Sequence, residues 1–138
     1  MKKFFALLLI LFTVFSCTNN STDEKKMADN RIALRTDTTN LVKLSDTLVI
    51  FASTCRGCAY EGSTSFSVSD SMDIIRLADI VTADNSPADM AGGSISKTLV
   101  LVPQKAGTTI FKLYKFWTQE RTARDSANFS AYKIEVQQ

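Results

Sequence analysis

The chain has no histidine among its 138 residues. That absence removes the commonest general base and the commonest metal ligand, and with them Ser-His-Asp and Cys-His catalysis. Charge of one sign is missing too: sixteen basic residues stand against fourteen acidic ones. Nothing in that balance points to nucleic acid as a partner. Long apolar runs are lacking. The longest, residues 4–15, falls well short of the about 20 residues that span a bilayer. Cysteine is scarce, at Cys17, Cys55 and Cys58. Past residue 30 there is no internal repeat and no low-complexity tract. The length suits one domain with a moderate core.

What is present begins at the N-terminus. Met1-Lys2-Lys3, the apolar run 4–15 and the small residue Ser16 form a secretory signal segment. Its end, Val14-Phe15-Ser16-Cys17, resembles the lipobox of bacterial lipoproteins. That resemblance implies cleavage before Cys17, diacylation of its sulfur (palmitate among the acyl groups) and acylation of the new amino group. Several acyl chains make a stable anchor where one does not. No acidic residue directly follows Cys17, which by the same resemblance favours the outer membrane of a bacterial cell envelope. Residues 1–16 are therefore read as a lipoprotein signal peptide. Residues 17–30, polar and without apolar periodicity, are read as a flexible tether. Residues 31–138 are read as the domain. Without residues 1–16, which carry Lys2 and Lys3, the chain has fourteen basic and fourteen acidic residues.

From residue 31 onward, apolar and polar positions alternate in short runs: 31–35, 41–44, 47–53, 64–69, 73–81, 95–102, 108–117 and 129–136. They are rich in Val, Ile, Phe, Tyr and Thr, which fit a pleated, half-buried surface. Turn signals separate them, among them Leu44-Ser45-Asp46, Arg56-Gly57, Glu61-Gly62, Gly92-Gly93 and Lys105-Ala106-Gly107. Residues 71–81 admit either a helix or a strand with a bulge. No other window suggests a helix, and the charged stretch 119–125 reads as a solvated loop. Residues 98–102 and 108–114 read as a hairpin. Phe111, Leu113 and Lys115 fall on one face of the second arm, Ile110, Lys112 and Tyr114 on the other. Tyr132, Ile134 and Val136 share one side of the last strand. The pattern is all-β, a single immunoglobulin-like antiparallel β-sandwich of seven or eight strands.

Cys55-Arg56-Gly57-Cys58 follows directly on the run ending Phe51-Ala52-Ser53-Thr54. In an oxidising envelope the two cysteines pair. Three roles compete. A loop clamp stiffens a loop whose shape matters. Redox catalysis resembles the strand-then-CxxC of thioredoxins, but needs a helix after the first cysteine to lower its thiol pKa. The residues that follow, rich in glycine, serine and threonine, oppose a helix. A metal knuckle would need carboxylates to complete it, because no histidine exists. No metal or other cofactor is expected.

The order of features over most of the domain resembles chagasin-like inhibitors of papain-type cysteine proteases, small immunoglobulin-like sandwiches. The matching features are Ser45-Asp46-Thr47-Leu48-Val49-Ile50, the Cys55–Cys58 loop, the strand through Phe66, Met72-Asp73-Ile74-Ile75-Arg76-Leu77, the Gly92-Gly93 loop and the segment from Pro103 to Thr109. In that family three loops at one end block a protease cleft. By position they fall on 54–59, 90–94 and 115–117. Cys55-Arg56-Gly57-Cys58 stands where the family has Asn-Pro-Thr-Thr-Gly, and Lys115-Phe116-Trp117 where it has Arg-Pro-Trp. The resemblance implies a partner-binding role for Arg56, Gly57, Gly92, Gly93, Phe116 and Trp117, and a protease as partner. Taken as residues alone, Gly92-Gly93 also suits an ordinary turn, and Trp117 also suits a sandwich core. The expectation is a lipid-anchored, non-enzymatic protein-binding module. Thiol-disulfide exchange by Cys55 and Cys58, or a purely structural envelope role, are the alternatives.

Overall fold

The computed structural model describes residues 31–87 and 89–138. Cys17, the signal segment and the tether lie outside the described residues. Eight strands form two sheets: β1 Arg31–Ala33, β2 Thr39–Lys43, β3 Thr47–Cys55, β4 Ser65–Asp70, β5 Ile75–Ala83, β6 Ser94–Pro103, β7 Gly107–Phe116 and β8 Phe129–Gln137. The first sheet has the order β1-β3-β6-β5 and the second β2-β8-β7-β4. The all-β sandwich read from the alternation is the architecture found. Its inner pairs are antiparallel, whereas β1 joins β3 and β2 joins β8 in parallel.

The alternation explains the core. Leu48, Ile50, Leu99 and Leu101 face inward from the first sheet, and Phe111, Leu113, Tyr132, Ile134 and Val136 from the second. Each such side chain contributes about 1.5–3 kcal/mol by leaving water. Ile110, one residue out of phase, is exposed. Strand β5 carries a bulge between Leu77 and Asp79, so residues 75–81 are strand and 71–74 the turn before it.

The expected hairpin of residues 98–114 does not form. β6 pairs with β3 and β5, and β7 with β8 and β4. The two runs face each other across the core instead of lying side by side. Pro103 is buried and cannot donate to a ladder, and the next amide, Gln104 N–H, donates to Ile74 O at 2.7 Å, steering the chain from one sheet to the other. Gly107 has φ 145°, and a Cβ there would lie 2.9 Å from Ile74 Cδ1. Only glycine allows this close crossing.

A second crossing joins β1 to β2 and turns on buried Asn40. Its Oδ1 accepts from Arg35 N–H (2.9 Å), and its Nδ2 donates to Arg35 O (2.8 Å) and Lys133 O (2.9 Å). The stretch read wholly as a loop near 119–125 holds one short helix, α1 Ala123–Ala127. A capping box makes it. Thr122 N–H and its hydroxyl donate to Asp125 Oδ2 at 2.8 and 2.7 Å, and Thr122 Oγ1 accepts from Asp125 N–H. The Thr122 backbone N–H, then its hydroxyl, hold the Asp125 carboxyl below the usual range.

Candidate loop surface for protein binding

Strand register brings three loops to one end. Cys55 pairs with Ser94, Ala83 with Ser96, Ser65 with Phe116 and Tyr114 with Phe129. The connections 56–64, 84–93 and 117–128 therefore leave the sandwich together.

The first loop is fastened internally. Cys55 and Cys58 form a disulfide, with Cα atoms 5.9 Å apart. Gly57 sits at φ 70°, a left-handed conformation, and its N–H donates to the Glu61 carboxylate at 2.6 Å. Cys58 O accepts from Glu61 N–H and Cys58 Sγ from Tyr60 N–H, both at 3.2 Å. Residues 56–64 contain bends and turns, with no helix. The helix that a thioredoxin-like site requires after its first cysteine is therefore missing, which overturns that alternative.

Arg56 joins the first loop to the second. Its backbone N–H donates to Gly93 O at 3.0 Å. Nη1 donates to Pro87 O at 3.1 Å and Met90 O at 2.9 Å, and Nε lies 2.9 Å from Asp84 Oδ2. A side chain with three such contacts organises the surface instead of projecting from it. The backbones touch as well: a Cβ on Gly57 would lie 3.4 Å from Gly92 N. Gly92 and Gly93 both have positive φ, at 87° and 118°.

The first loop also meets the third. Ser63 Oγ donates to Trp117 O at 2.6 Å, and the Tyr60 and Trp117 rings meet edge to face with centroids 6.0 Å apart. Lys115 Nζ donates to Ser53 O at 2.6 Å and lies 4.1 Å from the Trp117 ring centre. Trp117 is 46% exposed, so it is no core tryptophan. Phe116 has the opposite fate. It is buried on the outer side of the second sheet, parallel to Tyr114 and covered by the Arg121 guanidinium at 4.3 Å. Its ring is not offered at the surface, so of the pair only Trp117 is.

The structure thus gathers Arg56, Gly57, Gly92, Gly93 and Trp117 at one end and adds residues the sequence reading passed over. Tyr60 is 48% exposed and stands beside Trp117. A lone aromatic within a glycine- and serine-rich loop was its available signal. Met90 is exposed on the second loop. Glu61, Asp84 and Lys115 are the polar struts. Among the described residues no group of three or more His, Cys, Asp or Glu could hold a metal ion.

These features define a class: a β-sandwich presenting three cross-tied loops at one end. No family model matches the sequence, and no curated protein matches it. Two solved structures share the fold over 78% of this chain. One is the crystal structure of the cysteine protease inhibitor EhICP2 from Entamoeba histolytica, with TM-score 0.55, 19% identity and 95% of that chain covered. The other is the solution structure of amebosin, with TM-score 0.56, 17% identity and 98% of that chain covered. At these identities the likeness is one of fold.

Proposed function

We propose that this chain is a lipid-anchored, non-enzymatic inhibitor of papain-type cysteine proteases, seated in a bacterial envelope. The observation that carries this reading is the convergence of loops 56–64, 84–93 and 117–128 on one end of a fold shared with a described cysteine protease inhibitor. The loops are tied to each other before any partner arrives. Ordering costs on binding are therefore small, which favours affinity. Trp117 and Tyr60 supply the aromatic contact that dominates many interfaces, and Gly57, Gly92 and Gly93 let a partner's backbone approach closely. Where the family uses a proline-containing loop, the Cys55–Cys58 bridge supplies the stiffness. An anchor at Cys17 would raise the local concentration of the domain near envelope partners.

The test is titration of papain activity with the full chain in detergent. Stoichiometric, saturable inhibition is expected. No inhibition of any papain-type protease, or unchanged inhibition by Trp117→Ala, would sink the reading. Anchoring is tested separately: labelled palmitate is expected to enter the wild type and not Cys17→Ser.

A further inference from the structure

Resting on the reading of this end as a cysteine-protease-binding surface, we infer that the Cys55–Cys58 disulfide captures the target's nucleophilic thiolate as a reversible mixed disulfide. Enzymes of that class act through an activated thiolate. A thiolate is also the species that attacks a disulfide sulfur. The inhibitor surface sets a disulfide where such a group would meet it. Loop 56–64 is the central one of the three: among the described residues it touches both others, through Arg56 to residues 84–93 and through Tyr60 and Ser63 to Trp117. Whatever fills the middle of a cleft is this loop.

Access and direction follow from the local geometry. Neither Cys55 nor Cys58 is buried, and Gly57 between them carries no side chain. Cys58 Sγ accepts the Tyr60 N–H at 3.2 Å. That hydrogen bond favours a thiolate at Cys58 and makes it the better leaving group. The target thiolate therefore attacks Cys55 Sγ. A bond forms between the target sulfur and Cys55 Sγ, the Cys55–Cys58 bond breaks, and its electron pair stays on Cys58 as a thiolate held by Tyr60 N–H. The target sulfur rises from the thiolate to the disulfide level and Cys58 falls from the disulfide to the thiolate level, so the exchange balances. No proton moves, and no external oxidant or reductant is needed.

Two further features make the capture reversible. The contacts of Arg56 with Asp84, Pro87 and Met90 do not involve the sulfurs, so the loop keeps its place when the bridge opens. Cys58 remains three residues from Cys55. Its high effective concentration lets it attack back and expel the target.

The experiment mixes the full chain with papain at neutral pH without reductant, blocks free thiols, and reads non-reducing gels and peptide masses. Expected is a one-to-one adduct through Cys55. It should disappear with dithiothreitol and be absent with papain whose catalytic cysteine is replaced by serine. The complex should also dissociate at least ~10-fold more slowly than that of the Cys55→Ser/Cys58→Ser double variant. Three results would overturn the inference: equal inhibition by wild type and double variant without adduct, an adduct through Cys58, or an adduct through Cys17. If the serine form of papain binds while active papain yields no adduct, this inference falls and the inhibitor reading stands. If neither form of papain binds, both fall.

Discussion

The two ends of this sandwich solve the same problem, closing four strands onto four, by different means. At the far end the connections 44–46, 71–74 and 104–106 are short and lean on backbone partners. Asp70 gathers much of it. Its carboxylate accepts from Met72 N–H, Ile75 N–H and Thr109 Oγ1, and Gln104 N–H closes onto Ile74 O. At the near end the connections 56–64, 84–93 and 117–128 are longer and fastened by a disulfide, a guanidinium and two rings. The far end holds inward and shows no exposed aromatic ring. The near end holds sideways, loop to loop, and leaves Tyr60, Met90 and Trp117 in water. One end is built to close the fold, the other to keep a surface in shape. Changes at the two ends should therefore separate stability from binding.

The largest effect is expected from Trp117→Ala. Affinity for a papain-type protease should fall by about 30-fold or more, as for a buried anchor worth about 2 kcal/mol. The midpoint of urea unfolding should stay near wild type, because the ring is half exposed. A large shift of that midpoint would break the separation. Asp70→Ala is its mirror image. Losing an acceptor for two backbone amides and a hydroxyl should cost about 2 kcal/mol of stability, read by the same unfolding curves, with inhibition of folded protein unchanged. Arg56→Ala comes next. Freed from Asp84, Pro87 and Met90, the second loop should lose its fixed position, and affinity should drop about 10-fold, near 1.4 kcal/mol, with stability altered by less than that. Arg56→Lys, unable to serve all three partners, should rescue only part of the loss.

The smallest effect is one of pH. Partial burial pushes the Asp70 carboxyl upward, but the bonds from Thr109, Met72 and Ile75 outweigh it and hold the group below the ordinary carboxylate value. Its contribution to stability is thus complete above the unfolded pKa. It is lost as pH falls through the folded one. Unfolding free energy should decline on acidification in the wild type and decline less in Asp70→Asn. Equal acid slopes for the two proteins would show that Asp70 does not hold the far end.

Much of the fold was legible before the structure, and the reason is local. Alternation set the strands to within about two residues, and period alone grouped Phe111 with Leu113, and Tyr132 with Ile134 and Val136, on the faces that turn inward. Partnership between strands was not legible. Residues 98–102 and 108–114 look like hairpin arms because nothing in alternation says which sheet a strand joins. Pro103, Gly107 and the amide of Gln104 decide that, by sending the chain across the core. The helix Ala123–Ala127 was missed because it buries no face, so no apolar stripe announces it. Its capping pair Thr122 and Asp125 was the only trace. At the loop surface the positions of Arg56, the glycines and Trp117 could be placed by order along the chain. The burial of Phe116 on the outer side of the second sheet, under Arg121, and the reach of Arg56 across to Asp84 depend on packing between segments separated in sequence.

The parallel pairing of β2 with β8 has a mechanical consequence. Five residues of the first described strand of the second sheet lie beside five of the last, from Thr39 opposite Lys133 to Lys43 opposite Gln137, running the same way. Traction applied between Thr39 and Gln137 slides these strands past each other lengthwise. All rungs of the ladder then bear load together, instead of opening one after another from an end. Pulling along these two strands therefore meets a shared, lengthwise resistance at the seam where the chain starts and finishes the second sheet.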